Sequence, residues 1–377
     1  MTRWLRDVRA ALGGAATTAA LVAVGVGVIA LVSGLDAGDR PRTYAALIAS
    51  WLFFAGLTAG ALAFRALFQI IDARWARPLA SLGGAAIGFV PVAMVVLTVI
   101  VTGAELAPWL HADPSSGWMS VAGLSIRELA ISGSLFGCGF LLRPRGNTTG
   151  APSGARAVLY CVAFAIVLSM WAFDFVLGAD AVWESTLIGP YVFIGAFIAG
   201  TDLVALLGLG RGALDDRSRG DVAKLIFALS IFWAYLFWSQ YLTIWYGNLP
   251  EEVGFALRRT EGGWGFVVLT VIGLVFVLPF VTLLHPAGRR SVRMLRALLV
   301  LLLAGLWLDC QLLIIPALTP DDAPALAVRD VLVALGGLGA FALSVACRVK
   351  SAPTHPISAV PARAPVELGI SPERKTP

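Results

Sequence analysis

The sequence predicts an all-α integral membrane protein with about ten transmembrane helices, and three observations lead to this prediction. Hydrophobic residues make up 58% of the 377 residues and charged residues only 14%, whereas soluble domains contain about 25% charged residues. The mean hydropathy is +0.84. Apolar stretches of the length needed to cross a bilayer, about 20 residues, recur along the chain.

Ten such stretches are numbered here as spans 1 to 10 in chain order. They cover approximately residues 13–34, 45–71, 79–103, 120–142, 156–178, 186–209, 222–246, 264–285, 293–316 and 326–347. A cleavable signal peptide is the alternative for span 1, because Arg3, Arg6 and Arg9 precede it. Its apolar run exceeds the roughly 7–15 residues of a signal peptide and lacks a clear cleavage site, which favours a retained helix.

The distribution of lysine and arginine among the loops supports the count of ten spans. Cytoplasmic loops carry an excess of lysine and arginine. With ten spans, 21 of the 28 basic residues fall on one side and 5 on the other, while Arg65 and Arg127 lie within spans. This alternation predicts that both termini are cytoplasmic. It also explains the net charge of +5, so the charge gives no reason to expect nucleic-acid binding.

The chain divides into a cytoplasmic N-terminus (1–12), a transmembrane domain (13–347) and a tail (348–377). Proline and alanine are frequent in the tail, which predicts a disordered cytoplasmic segment.

Two similar segments indicate an internal duplication. Residues 51–60 read "WLFFAGLTAG" and residues 191–200 read "YVFIGAFIAG". This similarity predicts a parallel repeat of residues 45–178 and 186–316, which form two four-helix bundles from spans 2–5 and 6–9, with spans 1 and 10 at the periphery. The alternative is that such patterns recur in any membrane helices, because small residues allow close packing.

The chain offers few ligands for a resident cofactor. Its four cysteines and three histidines are widely separated, at positions 138, 161, 310 and 347 and at positions 111, 285 and 355. No cysteine pair, haem-attachment motif or phosphate-binding glycine motif is present. The sequence therefore predicts no metal site and no covalently bound cofactor, so that redox chemistry has to come from a partner or a diffusible ligand.

Ionisable side chains inside a membrane are costly and are candidates for function. Several polar residues fall within about two helical turns of the predicted outer surface and form one predicted layer; they are Arg127, Glu128, Asp174, Gln240, Tyr241 and Asp309. Glu128 follows Arg127 directly, so we expect at most one of these two side chains to face a shared cavity.

Such a layer suits a quinone head group. A carboxylate accepts the quinol proton, arginine, glutamine or tyrosine bonds the ring oxygens, and aromatic walls hold the ring. Candidate wall residues are Trp171, Phe173, Phe175, Trp183, Trp238 and Trp245. The alternative is that Arg127 pairs with Asp174 or Asp309 as a structural contact between helices, while the aromatic residues form an interfacial belt.

Two further groups of charged residues lie near the ends of spans. Asp202 and Lys224 flank an inner loop and are candidates for a proton path, although solvated helix ends are the alternative. Span 7 ends in "SQYLTIWYGNLPEE" (239–252). Its final carboxylates, Glu251 and Glu252, are predicted to shape the rim of the site or to dock a partner.

The extended stretch "KLIFALSIFWAYLFWSQYLTIWYGNLPEE" (224–252) resembles span 7 of the NrfD/PsrC family of quinol-oxidoreductase membrane subunits, and most closely the ActF subunit of bacterial alternative complex III. Further segments resemble the family in the same order: "GALAFRALFQIIDARW" (60–75), "SIRELA" (125–130), "WAFDFVLGADAVWESTLIGPYVF" (171–193), "GLWLDCQLLIIPAL" (305–318) and "SAPTHPI" (351–357).

This resemblance implies a subunit of a quinol:cytochrome c oxidoreductase in the bacterial inner membrane. The implied ligand is menaquinone or ubiquinone, and the implied partners are a paralogous NrfD-like membrane subunit, an iron–sulfur protein and a c-type cytochrome. The chain itself has no redox centre. The implied site consists of Asp174 and Asp309 as catalytic carboxylates and of quinone-binding residues at Arg127, Gln240, Tyr241 and Trp238.

The chain departs from the family pattern around this site. Val182 replaces a family histidine, Ser120 replaces an asparagine, and Ala122 and Gly123 replace proline and phenylalanine. These changes keep open a structural or proton-conducting subunit without its own quinone site. An independent secondary transporter is a further alternative, but transporter repeats break their helices near the midplane, whereas the polar residues here lie near the outer end.

Overall fold

The computed structural model describes residues 2–36, 39–103, 118, 120–142, 154–180, 183–319 and 323–352. All regular secondary structure in these residues is helical. In this part of the chain, ten helical segments are long and apolar enough to cross a membrane. The predicted all-α, multi-pass membrane fold is therefore confirmed.

Fifteen α-helices form the described part of the chain. They are α1 (Thr2–Leu12), α2 (Gly14–Asp36), α3 (Arg40–Ile70), α4 (Arg77–Ala85), α5 (Val90–Thr102), α6 (Val121–Leu141), α7 (Gly154–Trp171), α8 (Ile188–Gly210), α9 (Asp216–Gly247), α10 (Pro250–Thr260), α11 (Gly262–Ile272), α12 (Leu278–Leu284), α13 (Pro286–Arg290), α14 (Val292–Leu318) and α15 (Val328–Ser351).

Three of the ten spans contain a local change of helix type. A 3-10 turn at Ala86–Phe89 joins α4 to α5 in span 3, a π turn at Ala172–Leu177 ends span 5, and a π turn at Gly273–Val277 joins α11 to α12 in span 8. Pro91 and Pro279 follow two of these turns. A proline has no N–H, so a carbonyl one turn earlier loses its helical partner and the helix deviates locally.

The predicted span boundaries agree with the helices to within a few residues at most ends. The largest difference is at α9, which begins at Asp216 rather than at 222. The Asp215 side chain caps this helix by accepting a 2.8 Å hydrogen bond from the Ser218 N–H. This cap allows polar residues to form the first turns, before the apolar part that the sequence prediction detected.

The predicted boundary holds at the N-terminus and differs at the C-terminus. Residues 2–12 form the helix α1, and Val8 of this helix packs in a small apolar cluster with Ala20 and Leu343. The last helix continues to Ser351, beyond the predicted start of the tail at 348. Residues 353–377 of the predicted tail lie outside the described residues.

Helices α3 and α8 lie at the centre of the fold and cross closely. A Cβ atom at Gly60 would overlap the backbone of α8, and one at Gly200 would overlap the backbone of α3. These two glycines occupy equivalent positions in the similar segments 51–60 and 191–200. Contact between equivalent residues is expected where a pseudo-two-fold axis relates two repeats, which supports the duplication; the duplication itself stays a prediction.

The remaining spans pack around this central pair. Helix α3 packs against α4, α5 and α7, while α6 packs between α5 and α7. Helix α8 packs against α9 and α14, and span 8 contacts both of these, with α12 on α9 and α11 on α14. Helix α2 packs mainly against α15, which in turn lies on α3. The contacts within spans 6–9 leave space at one end of that group, where α10 lies.

Candidate functional site

A cavity of about 860 Å³ lies among α8, α9, α10, α11 and α14. Its volume is within the range of ligand pockets, about 300–1,000 Å³. Most of its lining is aromatic or aliphatic, and a few polar side chains interrupt that lining: Tyr191, Gln240, Tyr241, Arg259, Thr260 and Asp309. An apolar cavity with few convergent polar groups is the typical form of a small-molecule site.

Asp309 of α14 is the carboxylate in the cavity wall. It is almost fully buried, and its Oδ1 accepts a 2.7 Å hydrogen bond from the Tyr191 hydroxyl of α8. The Trp233 ring of α9 lies against Tyr191, with ring centroids 5.7 Å apart. Three helices therefore contribute to the environment of one carboxylate: the Tyr191 hydroxyl donates to it, and the Trp233 indole lies within its hydrogen-bonding reach.

Gln240 reaches the same cavity from α9. It lies seven residues after Trp233, which corresponds to about two helical turns and places both side chains on one helix face. Gln240 is buried, whereas Trp238 and Tyr241 are 57% and 42% exposed. Gln240 is therefore an internal polar residue of the cavity, and Trp238 and Tyr241 lie at its mouth.

Arg259 of α10 is a buried cation in the cavity wall that the sequence analysis did not identify. Its Nε donates to the Leu312 carbonyl at 3.1 Å and its Nη2 donates to the Leu313 carbonyl at 2.8 Å. Pro316 follows four residues after Leu312 and has no N–H, so the Leu312 carbonyl has no helical donor. Arg259 supplies the missing hydrogen bond and thereby attaches α10 to α14.

Two other groups hold the Arg259 side chain in place. Its guanidinium lies 3.5 Å from the centre of the Phe255 ring, and Nη1 lies 3.5 Å from Oδ2 of Asp180. Burial lowers the pKa of Arg259 to about 9, and the negative charge of Asp180 opposes this shift. The guanidinium is therefore charged at neutral pH.

Helix α10 forms a roof over the cavity and is held by an ion pair. Nη2 of Arg258 lies 2.6 Å from each carboxylate oxygen of Asp180. Beside this pair, the Trp183 ring stacks on Phe255 with centroids 3.5 Å apart. Arg258 and Arg259 lie between the predicted spans 7 and 8, and the i, i+4 spacing of Phe255 and Arg259 was the available signal for a helix face directed inward.

Arg127 and Asp174 do not line this cavity. They form a bidentate ion pair between α6 and the π turn after α7, with Nε–Oδ2 at 2.7 Å and Nη2–Oδ1 at 2.9 Å. Arg127 also donates to the Trp118 carbonyl and lies 3.9 Å from the centre of the Trp118 ring. The residues of the expected polar layer therefore lie at two places, one at the large cavity and one at the Arg127–Asp174 pair. The pairing of Arg127 with Asp174 is the structural contact that the sequence analysis gave as the alternative.

The π turn provides a reason for the position of Asp174. The sequence Trp-Ala-Phe-Asp (171–174) corresponds to Trp-Leu-Asp (307–309) of α14 with one additional residue. A π turn accommodates one additional residue in a helix. Asp174 and Asp309 are thus similar in sequence context, but only Asp309 borders the large cavity.

Glu128 is fully buried beside the Arg127–Asp174 pair. Within the described residues, neither of its carboxylate oxygens makes a hydrogen bond. It nevertheless lies close enough to both Asp174 and Arg127 for electrostatic interaction. Neither Arg127 nor Glu128 lines the large cavity, and both side chains approach Asp174.

The predicted aromatic walls are also divided. Trp238 borders the cavity, and Trp183 stacks beneath α10. Trp171 and Phe175 instead pack against Trp51 in the first half of the chain, at centroid distances of 4.7 and 5.3 Å. The other two, Phe173 and Trp245, are exposed.

The two candidates for a proton path have different surroundings. Asp202 is fully buried, and its carboxylate oxygens have no hydrogen-bond partner among the described residues. The interpretation of Asp202 as a solvated helix end is therefore wrong. Lys224 is exposed and lies 3.2 Å from Asp221, in agreement with a solvated helix end.

The remaining predicted positions lie outside the cavity lining. Ser120 caps α6 by accepting a 3.0 Å hydrogen bond from the Gly123 N–H, and Ala122 lies in the same turn. Glu252 is partly buried in the first turn of α10. The side chain of Glu251 and residue Val182 are outside the described residues, so docking by the two glutamates stays a prediction.

Comparison with protein-family models gives no match to this chain, and comparison with curated proteins gives none either. Fold and site together define a multi-pass helical membrane protein with a largely apolar, aromatic-rich cavity.

Proposed function

We propose that the chain is the quinol-binding membrane subunit of a respiratory quinol:electron-acceptor oxidoreductase. The observation that carries this proposal is the Tyr191–Asp309 pair in the wall of a large aromatic cavity. Quinol oxidation needs a proton acceptor next to a bound aromatic ring, in a place that a lipid-soluble molecule can reach. The cavity supplies these features from α8, α9 and α14.

In this proposal, Asp309 accepts a proton from one quinol hydroxyl, and Tyr191 holds the carboxylate in position. Gln240 and Arg259 provide hydrogen-bond donors for the other ring oxygen. Oxidation of the quinol to quinone releases two protons and two electrons; Asp309 takes one proton, and the proton of the other hydroxyl passes to water. The electrons pass to iron–sulfur clusters and c-type haem on partner subunits, because the proposed subunit has no redox centre of its own.

The proposal gives Asp174 a structural role rather than a catalytic one. Both of its oxygens are bound by Arg127, and Asp174 does not line the large cavity. The cation of the pair is itself largely buried. Asp174 and Arg127 therefore hold α6 to the end of span 5.

The resemblance to the NrfD/PsrC family supports the rest of the proposal. The proposed complex contains a paralogous NrfD-like membrane subunit, an iron–sulfur protein and a c-type cytochrome. Its proposed location is the bacterial inner membrane with both termini in the cytoplasm, and its proposed ligand is menaquinol or ubiquinol.

The first experiment is purification of the tagged chain from native membranes in mild detergent. Partner identification and a dithionite-minus-oxidised optical spectrum are measured on the same sample. Co-purifying iron–sulfur and haem c proteins are expected. A colourless chain without partners would contradict the respiratory complex.

The second experiment tests the site itself. Binding of a quinol analogue to the purified complex is compared for Asp309→Asn and Asp202→Asn. Both positions are buried carboxylates, but only Asp309 borders the large cavity. Loss of binding in Asp309→Asn alone is expected; equal binding in both variants and in the unmodified complex would contradict a quinol site at Asp309.

A specific observation favours a proton-conducting role as the second candidate function. A small void of about 30 Å³ adjoins Asp309 and lies between α3, α8 and α14. This volume is sufficient for a water molecule, which needs about 10–15 Å³. Asp202 lies one helical turn beyond Ala199 of this void, on the side away from Asp309. An unchanged proton-to-electron ratio in Asp202→Asn would argue against conduction along this line.

A further inference from the structure

Helices α9 and α11 separate towards the α10 end of the molecule. Near the opposite end, α9 packs against α12 and against the π turn at Gly273–Val277. Within the described residues, α11 has no comparable contact with α9. The other neighbouring helices around the cavity are in contact, namely α8 with α9, α8 with α14 and α11 with α14. The gap between α9 and α11 is therefore the open side of the cavity.

The sequence of span 8 explains this separation. Pro279 removes the donor for the Val275 carbonyl, and the helix changes to a π turn over Gly273–Val277. A π turn changes the direction of the helix axis and rotates the side chains on one side of the turn relative to those on the other. The axes of α11 and α12 therefore differ in direction, while α9 continues without interruption to Gly247.

The side chains along the gap are apolar or aromatic. On α9, Ile231, Tyr235 and Trp238 line the cavity and are 39%, 62% and 57% exposed. Val268 and Ile272 of α11 form the facing edge. The polar groups of the site are on other elements or deeper on α9, so a molecule in the gap meets apolar surface first and the Asp309 region afterwards.

Hydrogen bonds hold α10 in place over the cavity. Arg258 is held by Asp180, and Arg259 is held by two carbonyls of α14. A ligand from the aqueous side would have to break these charge-assisted hydrogen bonds, which are stronger than neutral ones. The gap between α9 and α11 needs no such change.

We propose that the gap between α9 and α11 is a lateral portal that admits the hydrocarbon chain of a membrane-dissolved ligand, with its polar head group directed to Asp309. The ligand class is a long-chain isoprenoid or acyl amphiphile. The identification of that head group as a quinol rests on the proposed function, whereas the portal itself rests on the helix geometry.

The test uses the full chain in phosphatidylcholine vesicles that contain a phospholipid with a diazirine in the middle of one acyl chain. After illumination, labelled residues are mapped by mass spectrometry. Label on cavity residues such as Ala234 and Phe276 is expected, in addition to label on the outer surface at Val281. Absence of label inside the cavity of the unmodified chain would overturn the portal.

Val268→Trp narrows the portal, and Leu269→Trp is the matched control because Leu269 is the adjacent residue, is 69% exposed and does not line the cavity. Val268→Trp is expected to reduce cavity labelling at least five-fold and to leave the label at Val281 unchanged. Leu269→Trp is expected to leave both labels unchanged. Cavity labelling that is equal in the two variants would show that chains do not enter between α9 and α11.

The portal and the proposed function can fail separately. Binding of a long-chain quinone is measured on the same vesicles without the photolabel. Cavity labelling without quinone binding would retain the portal and contradict the quinol site. Quinone binding that is unaffected by Val268→Trp would retain the site and overturn the portal.

Discussion

The Nε of Arg259 on α10 donates a 3.1 Å hydrogen bond to the Leu312 carbonyl of α14, which Pro316 leaves without a donor in its own helix. A helix defect in span 9 thus becomes the attachment point of the roof over the cavity. The guanidinium makes two further hydrogen bonds, to the carbonyls of Leu313 and Phe255.

Replacement of Arg259 by methionine is expected to destabilise the protein. Methionine retains most of the apolar contact but leaves the Leu312 carbonyl, which Pro316 deprives of a helical donor, buried without a hydrogen bond, and this costs about 1–3 kcal/mol. Thermal unfolding followed by intrinsic fluorescence in detergent measures the loss. The control Arg217→Met removes an exposed arginine in the first turn of α9 and is expected to leave stability nearly unchanged; an equal loss in the two variants would contradict the role given to the α14 carbonyl.

Replacement of Tyr191 by phenylalanine is expected to weaken quinol-analogue binding about ten-fold. The change removes one hydrogen bond to a charged group, worth about 1.5 kcal/mol, and leaves Asp309 less well oriented. Tyr235→Phe is the matched control, because Tyr235 lines the same cavity but is 62% exposed. Titration of both variants in nanodiscs checks the prediction, and a similar dissociation constant for both would refute it.

The carboxylates next to Arg127 are expected to respond differently to substitution. Asp174→Asn removes the carboxylate that binds Nε and Nη2 of Arg127, and the loss of hydrogen bonds to a charged group is expected to cost about 1.5–3 kcal/mol. Glu128→Gln keeps a side chain of similar size beside Asp174 and leaves the Arg127–Asp174 pair intact, so it is expected to cost less stability than Asp174→Asn. Unfolding temperatures of the two variants provide the comparison, and a greater loss in Glu128→Gln would contradict the assignment of Arg127 to Asp174.

The crossing of α3 and α8 is expected to tolerate no side chain at its centre. In Gly60→Ala the new methyl group would overlap the Ala196 carbonyl oxygen, so the helices must separate and lose packing. Gly195→Ala on α8 is the control, since no atom lies within 4 Å of its added Cβ. The yield of folded protein after size-exclusion chromatography is expected to fall only for Gly60→Ala.

The Asp215 cap is expected to make stability pH-dependent. The hydrogen bonds from Ser218 hold the pKa of Asp215 below its ordinary value of 3.8. Because the folded pKa is lowered, this contribution is fully present above the unfolded pKa and is lost as the pH falls through the folded pKa. Asp215→Ala is expected to cost about 1 kcal/mol at pH 7.

Asp215→Asn separates the charge from the hydrogen bond. Asparagine is also a good capping residue, so stability at pH 7 should be close to that of the unmodified protein, and the part of the acid sensitivity due to this residue should disappear. Unfolding temperatures between pH 7 and about pH 2 cover the range in which a carboxylate with a lowered pKa becomes protonated, and they check this. An acid response identical to that of the unmodified protein would show that Asp215 does not contribute.

The sequence by itself determined the fold class and the ten spans. A stretch of about 20 apolar residues is a local property, and the requirement to satisfy backbone hydrogen bonds in lipid makes such a stretch helical. The same local reasoning identified Asp309, Gln240 and Tyr241 as candidate site residues. It missed α10, because a short amphipathic helix has no long apolar run and its direction depends on the carbonyls that Pro316 exposes on another helix.

Only the tertiary structure decided which polar residues meet. The sequence placed Arg127, Asp174, Gln240 and Asp309 at a similar depth, but depth does not define the rotation of a helix or its neighbours. The crossing of α3 and α8 at Gly60 and Gly200 and the π turn in each half set those rotations. As a result, Asp174 is bound by Arg127, whereas Asp309 lies in the wall of the cavity and is bound by Tyr191. The physical reason is that packing, and not local hydrophobicity, determines which distant segments come into contact.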